Sequence, residues 1–243
     1  MIIYGYQAIS EAIDEGVPIH CIYVDRDRVT RRDRRFTKLR DKAGKLNIKI
    51  QEVPYEKLLT LDKEGAKTGF IALISEVPLI PFEEFEFKVE KNSLLVALDE
   101  VTDAGNFASI VRACAFFGVD AIIVTERRSP YISPQVVKVS SGGVFKVPII
   151  RAKNLSRAIS DLKEIGFWIV SLTPHVESTI YEVPVDIPLV VIAGNEERGI
   201  RRLIIENSDY RVKIPGSGRL ESLNVSQAVA ITISDICRRR LGF

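Results

Sequence analysis

The chain predicts an α/β protein: a mainly parallel sheet with helices on both faces, preceded by a smaller α/β unit. Three observations lead there. From Leu94 onward, short apolar runs alternate with segments of helical period. The strand candidates are apolar nearly throughout, as strands buried on both faces are. Before residue 76 the same alternation occurs on a smaller scale, and a stretch rich in proline and acid separates the two regions.

In the first region, residues 1–76, "YQAISEAIDEG" reads as a short helix ending at Gly16 and "IHCIYV" as a buried strand. The basic stretch that follows reads as helix through about Lys45. "IKIQEV" is a strand, "YEKLLTL" a helical turn or two, and "GFIALI" a final strand. Residues 77–93 read as a linker with a possible short edge segment, since prolines suit edges and turns. In the large region, residues 94–243, strands are expected at 94–101, 120–125, 167–173, 189–194 and 210–215. Helices are expected at 107–117, 133–141, 154–165 and 199–206, with a closing helix from about Asn224 to Arg239. Sheets of this kind bind ligands beyond the carboxyl ends of their strands. The loops "DEVTDAGN", "LTPH", "AGNEERG" and "PGSGRLESLN" hold most of the Gly, Asn and Ser of the domain, so a site is sought there.

At 46% hydrophobic and 27% charged, the composition is that of a soluble globular protein. No apolar run reaches the length of a membrane span, and the N-terminus lacks the basic start and apolar core of a signal peptide, so the expected compartment is the cytoplasm. Cys21, Cys114 and Cys237 are widely spaced and read as reduced thiols. With His20 and His175 the only histidines, no metal site is expected. No GxGxxG follows a strand, and "GNEERGI" has the glycine spacing of a phosphate loop without its Lys-Ser/Thr, which disfavours a dinucleotide or ATP site. Net charge is only +2, but residues 26–45 carry ten Lys/Arg against three Asp. That stretch is either a solvated, ion-paired helix or a phosphate-contacting face.

Arg112 poses the sharpest question. It sits in "NFASIVRACAFFGVDAIIV", an apolar helix running into a strand, with no acid within five positions. A buried charge there is costly unless paired. Other polar residues allow two readings each. Asn106 could cap the helix that follows it, and Ser222 or Asn224 could cap the last helix. Glu196 could be a first-turn acid, and the arginines of "CRRRLGF" could be cations at a helix C-terminus or RNA contacts.

Taken together, "LDEVTDAGNFASIVRACAFFGVDAIIV", "LVVIAGNEERGI" and "VKIPGSGRLESLNVSQAVAI" resemble the three signature motifs of the SpoU/TrmH ribose methyltransferases of the SPOUT superfamily. "RRSPYISPQVVKVSSGGVFKVPIIRAKNL" and the opening "YGYQAISEAI" are similar to the bacterial large-subunit rRNA guanosine 2′-O-methyltransferase branch, whose N-terminal unit is a ribosomal-protein-like RNA-binding domain. The resemblance implies a C-terminal trefoil knot, S-adenosylmethionine as cofactor, a homodimer with sites near the subunit interface, and a ribose 2′-hydroxyl of structured RNA as substrate. It places catalytic roles on Asn106, Arg112, Glu196, Ser222 and Asn224. Leu172, Gly194, Ile214 and Leu223 match cofactor-lining positions. The match departs from the family at Asp103-Ala104-Gly105, where Asp-Pro is usual, and at Glu197 and Arg198, where smaller residues are common. Because a guanidinium stays protonated in proteins, Arg112 is expected to bind phosphate and stabilise charge on the 2′-oxygen rather than act as a base. Alternatives are a tRNA ribose methyltransferase and a non-catalytic RNA-binding ribosome-assembly protein.

Overall fold

The computed structural model describes residues 1–31 and 33–242, and these fall into two compact units. Along the chain run β1 (Ile2–Tyr4), α1 (Tyr6–Asp14), β2 (Ile19–Asp25), α2 (Arg26–Thr30), α3 (Arg34–Lys45) and β3 (Ile50–Val53). Then come α4 (Tyr55–Leu61), α5 (Lys63–Thr68), β4 (Phe70–Ile74), β5 (Ile80–Pro81), β6 (Leu94–Asp99), α6 (Ala104–Phe117) and β7 (Ala121–Thr125). The remainder is α7 (Pro134–Val139), β8 (Ile149–Ala152), α8 (Leu155–Glu164), β9 (Trp168–Leu172), β10 (Leu189–Gly194), α9 (Arg202–Glu206), β11 (Tyr210–Val212) and α10 (Val225–Arg240).

The first unit comprises residues 1–77 and 132–146 around a four-stranded sheet of order β1-β4-β2-β3. The basic stretch is two helices rather than one. Asp33 caps α3 through a bond from the Arg35 amide (2.9 Å) and also holds the Arg28 guanidinium (3.0 Å), which lies over the Phe70 ring. The stretch is only partly ion-paired. Arg28, Arg35 and Lys42 are ion-paired, whereas Arg31, Arg34, Lys38 and Lys45 are exposed with no ion pair among the described residues. Arg32 lies outside the described residues.

Residues 132–146, expected within the 94–243 region, group instead with the first unit. Val136 and Val137 of α7 are fully buried, Lys138 lies over the Tyr4 ring (5.1 Å), and Lys146 pairs with Glu11 and Glu15 (2.8 and 2.7 Å). These partners are more than a hundred residues away in the chain, so no local pattern announces them.

The second unit, residues 78–131 and 147–243, holds an all-parallel seven-stranded sheet of order β11-β9-β10-β6-β7-β8-β5. All five strands expected from the sequence are present. Two further strands lie at one side: β8, absent from the sequence reading, has only four residues, and β5, the short edge segment expected in the linker, has two, with Pro81 on the edge where a missing N–H leaves no ladder unpaired. One face carries α8 and α9, with Leu155, Ile159, Leu162 and Ile204 against Leu95, Ala97, Ile123, Val190 and Ile192. On the other side α6 and α10 pack together, burying Phe107, Ile110, Val111 and Cys114 with Val229, Ile233 and Ile236. No helix among the described residues is long and apolar enough to cross a membrane.

The terminal arginines neither cap their own helix nor point freely to solvent. Arg239 bonds Asp235 (2.8 Å) and donates to the carbonyls of Ile180 and Val183 (3.1 and 2.8 Å). Arg240 donates to the carbonyls of Val185, Ile187 and Asn92 (2.8, 3.0 and 2.5 Å). Arg238 reaches Asp235 (3.0 Å). Peptide carbonyls of strand-free segments need donors when water is excluded, and these guanidiniums supply them. Replacing Arg240 by Met keeps the stem and removes the donors. Urea denaturation of Arg240→Met should show a stability loss of about 2–3 kcal/mol, given the worth of hydrogen bonds from charged groups.

Candidate active site

The carboxyl ends of β11, β9, β10 and β6 lie side by side, so the loops following them meet at one edge of the sheet. Leu172 ends β9 opposite Val212, Gly194 ends β10 opposite Asp99, and Ile214 lies just past β11. The last helix, α10, starts at the end of the loop that follows β11.

Asn106 is not the cap of α6. Asp103 is, accepting from the Asn106 amide (2.7 Å), so Asn106 is the third residue of the helix and its carboxamide takes no part in the cap. That carboxamide joins all three loops. Its Nδ2 donates to Glu196 Oε1 (2.8 Å), and its Oδ1 accepts from Asn224 Nδ2 (2.9 Å). Asn224 Oδ1 in turn accepts from the Ser226 amide (2.9 Å) and hydroxyl (2.6 Å). Asn224 therefore does cap α10, and the same residue reaches into the cluster. A carboxylate oxygen accepts and a backbone N–H can only donate, so the two ends of this chain fix the orientation of both amides between them.

Glu196 is not a helical residue: α9 begins only at Arg202, and Glu196 lies in the turn between Asn195 and Gly199. Three features make that turn. The Asn195 side chain accepts from the Glu197 and Arg198 amides (3.0 and 3.1 Å) and donates to the Glu100 carbonyl (2.9 Å). A Cβ on Gly194 would collide with the backbone of Gly199 and Ile200, so only glycine permits the return of the chain. Arg201 binds the fully buried carboxylate of Asp99 through its amide (2.8 Å) and its guanidinium (2.8 and 2.6 Å). Sequence reasoning missed Asn195, Asp99 and Arg201. "GNEERG" held the signal for the first, since Asn is a common maker of such side-chain turns. The other two are 102 residues apart in the chain.

Not every candidate joins the cluster. Arg112 was expected to be kept dry in a buried helix, and it is exposed. The buried face of α6 is Phe107, Ala108, Ile110, Val111 and Cys114, and Arg112 lies on the opposite side with Ser109 and Phe116. It makes no hydrogen bond or ion pair among the described residues. Six residues along a helix place it about 9 Å further up the axis than Asn106 and round to another side. Ser222 is exposed and makes no hydrogen bond among the described residues. Leu223 is 43% exposed and Leu220 81%, while Leu172 and Ile214 are half-buried. Between Ile214 and Leu223 no backbone–backbone turn or loop hydrogen bond occurs among the described residues. Cys21 and Cys114 are buried free thiols, and burial pushes Cys114 well above the ordinary range. Among the described residues no cluster of His, Cys, Asp and Glu is arranged to hold a metal.

Residues 93–234 match the SpoU rRNA Methylase family, and residues 2–79 match the family described as RNA 2′-O ribose methyltransferase substrate binding. A Staphylococcus epidermidis protein described as of the TrmH family of tRNA/rRNA methyltransferases is 32% identical over 99% of this chain and 96% of its own. The fold is shared with the SpoU methyltransferase AviRb from Streptomyces viridochromogenes, crystallised with the cofactor AdoMet, at a TM-score of 0.81 and 22% identity over 99% of this chain and 90% of that one. It is shared in part with the A. aeolicus TrmH/SpoU tRNA modifying enzyme, at a TM-score of 0.57 and 30% identity over 63% of this chain and 77% of that one.

Gly194→Ala places a methyl group against backbone that cannot rotate away. Thermal or urea unfolding should show a loss of about 1–3 kcal/mol, the usual range for overpacking. An unchanged midpoint would mean that the turn is looser than its geometry indicates.

Proposed function

The chain belongs to the SpoU/TrmH family of methyltransferases, and from that premise we propose that it methylates a ribose 2′-hydroxyl of structured RNA with S-adenosylmethionine. A guanosine of large-subunit rRNA is the leading substrate. The observation that carries the site is the hydrogen-bonded chain Glu196–Asn106–Asn224, which draws three distant loops to one edge of the sheet. The substrate-binding match over residues 2–79 supports RNA as partner. The leading choice of rRNA over tRNA rests on the N-terminal substrate-binding unit, which lies outside most of the shared fold with the tRNA modifying enzyme. Acting on such RNA, the enzyme would work in the cytoplasm.

The residues suit the cofactor. Leu172, Ile214 and Leu223 offer aliphatic contact, and the backbone of 214–223, not taken up in turn or loop bonds among the described residues, has donors and acceptors for an adenine and an amino-acid end. Gly194 keeps the end of β10 free of a side chain. When bound, S-adenosylmethionine supplies a methyl group on a positively charged sulfur. What the chain must provide is alignment of the 2′-oxygen and a path for its proton. An amide has two donors and two lone pairs. Asn106 uses one of each on Glu196 and Asn224, leaving one N–H and one lone pair to orient the hydroxyl. Glu196 and Asn224 act as positioning residues for that amide, and Ser222 contacts the ribose. Arg112 stands away from the Asn106 cluster of its own chain, so its proposed role requires a second copy of the chain: across a homodimer it stays cationic, binds the phosphate beside the target ribose and stabilises charge developing on the 2′-oxygen. The proton passes to water or to a phosphate oxygen.

Two structural features complete the reading. Phe116 on α6 and Ile231 on α10 are 81% and 41% exposed although their helices pack together, which supports a homodimer covering these faces and Arg112 with them. The other is the C-terminal trefoil knot that membership of the family implies.

The deciding experiment incubates the protein and labelled S-adenosylmethionine with unmodified transcripts of large-subunit rRNA and of tRNA, then maps the label. Label on a ribose 2′-oxygen of rRNA is expected. Label on tRNA alone selects the tRNA enzyme, and no label with no calorimetric binding of the cofactor selects the non-catalytic protein. In single-turnover reactions, Asn106→Ala should lower the rate by about 10²–10³, as loss of one oriented donor does. Arg112→Lys should fall nearly as far as Arg112→Ala, because Lys keeps the charge and loses the planar fork.

A further inference from the structure

A second concavity lies on the same edge of the sheet, beyond the carboxyl ends of β6, β7 and β8. It has a volume of about 280 Å³ and is lined by Glu100, Thr125, Glu126, Arg127, Lys153 and Arg201, with none of the proposed catalytic or cofactor-lining residues among its walls. Its charges are unevenly matched. Glu100 pairs with Arg128 (2.8 Å), Glu126 with Arg151 (3.6 Å) and Asp99 with Arg201 (2.6 Å). Arg127 and Lys153 are exposed and have no acidic partner among the described residues. Each acid around the cleft is thus already matched by an arginine, and two cations are left over. A third, Arg198, is also without an ion pair among the described residues, and it lies close enough to help hold the Glu100 carboxyl below its ordinary range, behind the larger effect of the hydrogen bond from Arg128.

The wall is shaped rather than loose. Glu100 and Arg128 both have positive φ (58° each), a conformation disfavoured for residues with side chains, and they are bonded to each other. Such backbone persists where its surroundings enforce it, and it concentrates at functional sites. Thr125 Oγ1 donates to the Arg127 carbonyl (2.7 Å) and contacts Ser129 Oγ (3.2 Å), which fixes the loop bearing Arg127. The Glu126 amide is bonded to the Ala152 carbonyl (2.9 Å), which holds that loop beside Lys153. The Glu100 carbonyl accepts from Asn195, whose turn carries Glu196. The cleft wall and the Glu196–Asn106–Asn224 chain therefore share a backbone support. Three inter-strand steps of about 4.8 Å separate the ends of β8 and β10, a distance that a few nucleotides span.

We propose that this cleft is a phosphate subsite, in which Arg127 and Lys153 grip a backbone phosphodiester of the RNA a few nucleotides from the ribose being methylated. The inference rests on the reading of RNA as substrate. Arg127 supplies a planar fork and Lys153 a point charge, a pair suited to a phosphate and to no particular base. The subsite therefore sets affinity and register, not sequence preference. The Glu100–Arg128 pair keeps Glu100 occupied, so that its charge does not repel the phosphate.

The test compares wild type with Arg127→Ala/Lys153→Ala and with the charge-reversed Arg127→Glu/Lys153→Glu. Binding of an unmodified large-subunit rRNA transcript is titrated at several salt concentrations, and methyl transfer and calorimetric cofactor binding are measured alongside. Both side chains are exposed, so unchanged thermal midpoints are expected. The alanine pair should weaken RNA binding and flatten the dependence of log K on log salt by roughly 0.7–0.9 for each phosphate no longer neutralised. Charge reversal should weaken it further. KM for RNA should rise with kcat nearly unchanged, and cofactor affinity should not move. If wild type binds and methylates the RNA while both variants match it in affinity and salt slope, the subsite is wrong and the functional reading stands. If wild type neither binds nor methylates RNA, the functional reading itself fails. Titrations with ATP and with inorganic phosphate separate the other source of the same chemistry: saturable binding of either that is abolished in the alanine pair, with RNA affinity unchanged, overturns the assignment to RNA.

Discussion

The Asn106 carboxamide is the joint on which the site depends. Three loops, separated by 90 and 118 residues of sequence from Asn106, meet through its two ends. Because a carboxylate accepts at one terminus of the hydrogen-bond chain and a backbone N–H donates at the other, no amide in it can be turned round without leaving donor facing donor. The arrangement is polar and partly open to solvent, so its role is to set orientation rather than to stabilise the fold. That suits a reaction limited by alignment of a hydroxyl oxygen with a methyl carbon.

Behind this joint stand groups that hold the second loop in place. The buried Asp99 carboxylate holds Arg201 by amide and guanidinium together, and Gly194 lets the chain double back at the end of β10. Asn195 closes the turn from inside and ties it to Glu100. Removing a partner from a buried ion pair leaves an uncompensated charge, so Asp99 and Arg201 are better understood as the frame of the second loop than as a surface contact. The same frame supports the cleft at the ends of β7 and β8. One edge of the sheet thus offers oriented amides on one side and unmatched cations on the other, a division that fits a polymer held by its backbone and modified at one sugar.

Arg112 shows how a correct motif can accompany a wrong environment. Its neighbours in sequence are apolar, which suggested a charge kept dry. Helical geometry sends those neighbours inward and the guanidinium outward. The readings of polar residues as helix caps also divided: Asp103 displaced Asn106 as a cap, Ser222 caps nothing among the described residues, and Asn224 is cap and cluster member at once. Two of the terminal arginines, Arg239 and Arg240, satisfy carbonyls of segments more than fifty residues away.

The sequence by itself determined the alternation of strands and helices, the parallel class of the main sheet and the loops where a site belongs. These follow from periodicity and from the rule that parallel strands are buried on both faces, both of which are local or statistical properties of the chain. Only the tertiary structure decided that residues 132–146 group with the first unit, that β8 extends the sheet, that Asp99 and Arg201 frame the second loop, and that Arg112 faces outward. Each of those depends on partners far apart along the chain or on which side of a helix meets the sheet. A hydrogen bond between residues a hundred positions apart leaves no periodic trace in either segment.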